Sequence, residues 1–159
     1  MTLRLACALD APTLAAIHAS AFDSSWGADQ IASLFSIGGV FGQIVECDGD
    51  PAGFILVRVV ADEAEILTLA IATNRRRRGL GETLLASAAA EARERGAQTV
   101  FLEVASDSRP ALCLYRKVGF AAVGLRKGYY DGRHNGARDA LVLSLDLNRR
   151  LPPPYHQTR

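Results

Sequence analysis

Residues Ile66 to Leu85, ILTLAIATNRRRRGLGETLL, decide the reading of this chain. Ile66 to Ile71 is a run of apolar residues of strand length, read as a buried strand. A basic, glycine-punctuated turn follows, and then the spacing of an amphipathic helix. Arg76-x-x-Gly79-x-Gly81 sits at the strand-to-helix junction. Glycine lets the backbone turn tightly there and leaves no Cβ in a ligand's way. The first N–H groups of a helix are free, and its dipole adds partial positive charge. That combination is a cradle for phosphate or pyrophosphate, reinforced here by the arginines Arg75 to Arg78.

Two nucleotide-binding motifs are excluded by their own requirements. A phosphate-binding loop of the Walker type needs Lys and then Ser or Thr after its last Gly, but Glu82 follows Gly81. A dinucleotide fold needs a third Gly where Leu84 stands.

The 159 residues suit one domain, 1–147, followed by a tail, 148–159, in which Pro152 to Pro154 can continue neither strand nor helix. The apolar fraction of 49% and charged fraction of 22% are those of a globular protein. A net charge of +1 gives no global field for nucleic acid, since the positive charge is local. Cys7, Cys47 and Cys113 have no pairing or metal spacing and are expected as buried, reduced thiols in a cytoplasmic protein. The start, MTLRLACALDAP, does not read as a signal peptide, and no run reaches the ~18 apolar residues of a membrane span.

Along the chain, Leu3, Leu5 and Cys7 alternate as a first strand, and Asp10 with Pro12 opens a helix to about Ala21. His18 lies in that helix and is expected to be a partly buried packing residue. Phe22 to Gly39 reads as short helix and loop, with Trp26 as anchor or groove residue. Val40–Glu46 and Ala52–Val60 are strands joined by the hairpin signal Asp48-Gly49-Asp50-Pro51. After Gly81, Leu84, Leu85, Ala88, Ala89 and Ala92 face inward until Gly96 ends the helix. Thr99–Val104 is a strand, Ser108 precedes a helix ending at Gly119, and Phe120–Leu125 and Ala140–Leu147 close as a strand pair. Arg126 to Asp139 is expected as a long polar loop. Strands first and strand–helix units later imply α/β or α+β with a mixed sheet.

The run LAIATNRRRRGLGETLL resembles the acetyl-CoA pyrophosphate motif of the GNAT N-acetyltransferases. FLEVASDSRPALCLYRKVGF (Phe101 to Phe120) and LRKGYYDGRHNGARDALVLSL (Leu125 to Leu145) also match that family, in the right order. Within it they resemble the RimI-type enzymes, which acetylate the N-terminus of a ribosomal protein. The resemblance spans almost the whole chain. It implies a GNAT fold, a mixed, mostly antiparallel sheet of about seven strands flanked by about four helices.

It also implies acetyl-CoA as co-substrate and no metal. The donor site would comprise Leu69, Ala70, Ile71, Arg76, Arg77, Arg78, Gly79, Leu80, Gly81, Glu82 and Ser108. Many members place Asn where this chain has Ser108, so that contact would be made by a hydroxyl or a water.

Acyl transfer to an amine needs a base for the amine's proton, a donor for the departing thiolate, and the two substrates held together. Glu103 interrupts an otherwise apolar strand and matches the RimI-type glutamate. Glu65 is the rival, six residues before Ile71, a spacing that resembles histone-type members. Tyr115, in Leu114-Tyr115-x-x-x-Gly119-Phe120, matches the family's proton donor. The acceptor side would comprise Trp26, Tyr129, Tyr130 and Asp139.

The expected acceptor is a protein or peptide N-terminus, such as that of a ribosomal protein, met by a monomer or weak dimer with no nucleic-acid or membrane partner. A lysine or small-molecule amine is the alternative. A CoA-binding module without catalysis and a nucleic-acid module built on the arginine run complete the readings.

Overall fold

A computed structural model describes residues 1–130 and 138–148, with the backbone alone at 128–130 and 138. Seven strands form one sheet: β1 (Thr2–Ala6), β2 (Val40–Cys47), β3 (Asp50–Val60), β4 (Glu63–Ile71), β5 (Thr99–Ala105), β6 (Ala121–Tyr130) and β7 (Arg138–Asp146). Their order is β1-β2-β3-β4-β5-β7-β6. Every pairing is antiparallel except β4 with β5. Four helices flank the sheet: α1 (Ala11–Ala21), α2 (Ala28–Leu34), α3 (Leu80–Glu94) and α4 (Arg109–Val118). The mixed, mostly antiparallel sheet with four helices is the expected GNAT architecture.

The sheet separates two cores. On one side, Leu80, Leu84, Leu85, Ala88, Ala89 and Ala92 of α3 recur at helical spacing and pack on Val45, Ile55, Val57, Val100, Leu102 and Leu143. On the other, Ala11, Leu14 and Ile17 of α1 and Ile31 of α2 cover Ile44, Phe54, Leu56 and Ala70. Strand alternation sends adjacent residues such as Phe54 and Ile55 to opposite cores, so β3 reads as a continuous apolar run.

Some expectations are corrected. Asp10 occupies the N-cap position of α1 but makes no side-chain cap bond there. Its carboxylate instead receives the Cys7 N–H at 2.9 Å and the Arg4 guanidinium at 3.0 Å, tying β1 to the turn before α1. Cys7 and Cys113 are exposed and Cys47 half-buried, all three free. Cys7 lies just beyond an edge strand, and Cys113 on the outer side of α4 from buried Leu112. The expected loop from Arg126 is strand as far as Tyr130, and β7 begins at Arg138. Strand β6 is the outer strand with only β7 beside it, where charged residues such as Arg126 and Lys127 are at home.

Leu147 is buried and donates its N–H to the Gln98 carbonyl at 2.9 Å, closing the fold; the tail beyond Asn148 lies outside the described residues. Among the described residues no helix is long and apolar enough to cross a membrane.

Candidate active site

Strands β4 and β5 pair only at Glu63↔Thr99, Ala64↔Val100 and Glu65↔Phe101. Beyond that point β4 follows β3 as far as Ile71↔Gly53, and β5 follows β7 as far as Ala105↔Ala140. Each strand keeps its outer neighbour, so the two diverge. In β4, Leu67 has no partner between Ile66↔Val57 and Thr68↔Leu56, a bulge that bends the strand where the divergence begins. The inner edge of Leu67–Ile71 is thereby left without a strand beside it.

The gap is a cleft of about 560 Å³, in the size range of small-molecule sites. Its walls come from both sides of the sheet: His18, Phe22 and Trp26 from the α1–α2 segment, and Ser108, Ala111 and Tyr115 from α4. Its floor is Ile66–Leu69 of β4 and Leu102–Ala105 of β5. A second recess of about 290 Å³ shares Leu102 and Glu103 with it and adds Arg58, Glu63, Glu65 and Arg126.

Both candidate carboxylates therefore stand near one another, but only Glu103 lines both spaces. Glu65 is exposed and lies on the paired part of the seam, opposite Phe101 and Arg58. Glu103 is half-buried, on the face of β5 opposite the core residues Leu102 and Val104. Arg126 reaches diagonally over β7 to place Nε 3.2 Å from Glu103 Oε1.

Tyr115 sits in the cleft from the other side. Its ring packs edge-on against Phe120 at 5.8 Å, and its carbonyl accepts the N–H groups of Gly119 and Phe120 at 3.2 and 3.0 Å. The Leu-Tyr-x-x-x-Gly-Phe spacing is thus a local structure that closes α4 and fixes the phenol's base. Ser108 is half-buried at the N-cap of α4, yet its hydroxyl makes no cap bond.

The basic turn lies at the far end of the cleft's β4 wall. Gly79 has φ +74°, and a Cβ there would meet nothing within 4 Å, so this is the glycine the turn itself requires. Its carbonyl receives the N–H and Oγ1 of Thr83 at 3.1 and 3.0 Å, which starts α3. Helix geometry then leaves the N–H groups of Leu80, Gly81 and Glu82 outside the intrahelical ladder. Gly81 also lies against α4. A Cβ there would lie 2.9 Å from Leu114 Cδ2, so Gly81 lets α3 and α4 approach.

Arg76, Arg77 and Arg78 are exposed around the turn. Arg75 is diverted, with its guanidinium 3.9 Å from Asp48 and 3.8 Å from Asp50 at the β2–β3 turn. The Glu82 carboxylate pairs with Lys117 of α4 at 2.8 Å. An open, left-handed turn, free helix N–H groups and three exposed guanidiniums fit a pyrophosphate.

On the acceptor side, Trp26 lines the cleft and packs against the α1–α2 core. Asp139 is half-buried in β7, on the same side as Leu141 and so on the opposite face from Glu103; its carbonyl accepts the Ser106 N–H at 2.9 Å. The side chains of Tyr129 and Tyr130 lie outside the described residues.

Sequence reasoning missed two residues. Arg126 carries no local signal, because its contact depends on the β5–β7–β6 register. His18 is buried rather than partly buried, at 3% exposure. Burial pushes its pKa below the usual imidazole value, so it is neutral at pH 7.

The chain matches the model of the acetyltransferase (GNAT) family over residues 11–120. A Bacillus subtilis (strain 168) protein provisionally named as a [ribosomal protein bS18]-alanine N-acetyltransferase is 35% identical over 133 residues, covering 83% of this chain and 86% of that protein. The streptothricin acetyltransferase of Streptomyces lavendulae is 39% identical over 103 residues, 64% of this chain and 54% of that enzyme. Among solved structures, the ribosomal-protein-S18-alanine N-acetyltransferase from Escherichia coli superposes with a TM-score of 0.84 at 27% identity, covering 97% of this chain and 99% of that one. With the diverging β4–β5 seam, the basic turn and these likenesses together, the chain belongs to the acetyltransferase (GNAT) family.

Proposed function

We propose that this protein transfers an acetyl group from acetyl-CoA to the N-terminal α-amine of a protein, a ribosomal protein of the S18 type being the leading acceptor, in the cytoplasm. The observation that carries the reading is the open cleft where β4 and β5 part, with Glu103 and Tyr115 on its walls.

Acetyl-CoA supplies the activated carbonyl, a thioester. Around it each residue has a separable task. The N–H groups at the start of α3 and the guanidiniums of Arg76 to Arg78 hold the pyrophosphate. The free edge of Leu69–Ala70–Ile71 pairs its backbone groups with the amide-bearing arm, as an added strand would. The Ser108 hydroxyl, unused for capping, is available to the same arm. Glu103 accepts the proton that an α-ammonium group must lose, directly or through a water, while Arg126 holds its carboxylate in place. The amine nitrogen then bonds to the acyl carbon and the carbon–sulfur bond breaks; the Tyr115 hydroxyl gives its proton to the departing thiolate, and the proton the nitrogen still sheds to become an amide returns through water to the Tyr115 oxygen.

The α-amine has a reference pKa of about 7.7–8.0 against about 10.4 for lysine, so it asks less of the base. Trp26 lines the acceptor side, and Tyr129 and Tyr130 are the further acceptor-side residues of this reading. The likeness to the streptothricin enzyme favours a second reading, a small-molecule amine as acceptor.

Mass spectrometry on two matched peptides tests the choice. One carries a free N-terminal amine and no lysine; the other has a blocked N-terminus and an internal lysine. One added acetyl on the first alone is expected. Transfer only to the second would make this a lysine acetyltransferase, and transfer to neither, with acetyl-CoA still bound, would favour the small-molecule reading.

A further inference from the structure

His18 is a buried polar side chain that the mechanism above leaves unused. It sits in the third turn of α1, in a wall of the cleft that Glu103 and Tyr115 also line. Its Nδ1 accepts the backbone N–H of Trp26 at 3.1 Å. Its ring stacks on the Trp26 indole, with centroids 4.9 Å apart and planes 17° apart. Phe22 packs against the same ring at 4.5 Å, and Phe54 of β3 lies 6.3 Å away from below. The segment between α1 and α2 has no regular secondary structure from Phe22 to Gly27. This imidazole thus holds it by one hydrogen bond and one stack, eight residues ahead in the chain.

We infer that His18 is a positioning residue that sets the acceptor side of the cleft by fixing Trp26 in its wall. The inference rests on the acetyltransferase reading and adds to it a residue governing which acceptors fit. The chemistry requires a neutral ring. An imidazole that accepts at Nδ1 carries its single proton on Nε2, whereas a doubly protonated ring has no acceptor to offer the Trp26 N–H. Losing the acceptor leaves that half-buried N–H unpaired, which loosens the wall rather than the whole fold. The donor half of the cleft, built from β4, α3 and α4, makes none of these contacts, so acetyl-CoA binding is independent of them.

The test exploits Trp26 being the chain's sole tryptophan, so intrinsic fluorescence reports this contact directly. His18→Phe keeps a flat ring but removes the acceptor. His18→Asn keeps an acceptor near the Nδ1 position but removes the ring. Michaelis constants for the free-amine peptide and for acetyl-CoA are measured separately, with thermal melting as a check on folding and acrylamide quenching of Trp26. For His18→Phe the expected result is an acceptor KM raised about tenfold, an acetyl-CoA KM unchanged, and a faster-quenched, red-shifted indole; a lost hydrogen bond to a buried donor is of that size. His18→Asn should restore most of the acceptor KM.

Equal rises in both Michaelis constants, or a folded His18→Phe protein with parental acceptor KM and parental quenching, would overturn the inference. If His18→Phe does not fold, His18→Leu, which removes acceptor and ring alike, takes its place: a raised acceptor KM with faster quenching, largely reversed in His18→Asn, supports the inference, and parental values in both variants contradict it. If the parent chain acetylates no peptide, the acceptor reading fails, and the quenching comparison still decides whether His18 fixes Trp26.

Discussion

The seam between β4 and β5 has two ends, and they do different work with the same two strands. At the paired end, Glu63–Glu65 lie in register with Thr99–Phe101, and the backbone groups satisfy one another. At the open end, Thr68–Ile71 and Glu103–Ala105 are each held by an outer neighbour only. The paired end joins the two halves of the sheet. The open end exposes backbone donors and acceptors inside a sheet, where an unpaired group costs free energy unless something fills the gap. Glu65, on the first, is exposed; Glu103, two residues past the last pair on the second, is half-buried and lines the cleft.

Comparing Glu103→Gln with Glu65→Gln breaks this contrast most sharply. Loss of a general base lowers turnover by about 10²–10⁴. Glu103→Gln should lose activity on that scale, and Glu65→Gln should stay within about threefold, both read as kcat at matched pH. The reverse ranking would move the chemistry to the paired end. Tyr115→Phe sharpens the same contrast from the opposite wall. It should cut turnover by about 10² with acetyl-CoA affinity nearly intact, as calorimetric titration would show; unchanged turnover removes the phenol as proton donor.

A smaller effect concerns stability away from the seam. The His18 pKa is lowered by burial, and that of Asp10 by its hydrogen bond from Arg4. In both cases the unfolded chain takes up the proton at higher pH than the folded one. The stability tied to His18 is therefore complete above about pH 6.5 and is lost as pH falls through the lowered folded value. That tied to Asp10 is complete above about pH 4 and falls further down. Melting curves should show a decline beginning below about pH 6.5, which His18→Phe removes while leaving the decline at lower pH.

Much of this molecule was legible in its residues because the signals were local. The Asp48-Gly49 turn, the α3 periodicity from Leu80 to Ala92, the strand before Gly79 and the Leu-Tyr-x-x-x-Gly-Phe closure of α4 each depend on neighbours within a few positions. The sites of failure depend on distant ones. Arg75 looks like its three successors until Asp48 and Asp50 draw it away. Arg126 looks like loop until β7 makes it strand and β5 supplies Glu103. His18 looks like one more helical residue until Trp26, Phe22 and Phe54 enclose it. In each case the missing information was a register or a packing partner, which no window of sequence contains.

Amide hydrogen exchange with and without acetyl-CoA tests the central claim most directly. If the open end of the seam is the donor's berth, the ligand should slow exchange in peptides covering residues 67–71 and 79–83 and leave residues 62–65 unchanged. Protection that spares 67–71, or that falls on 62–65 instead, would contradict it.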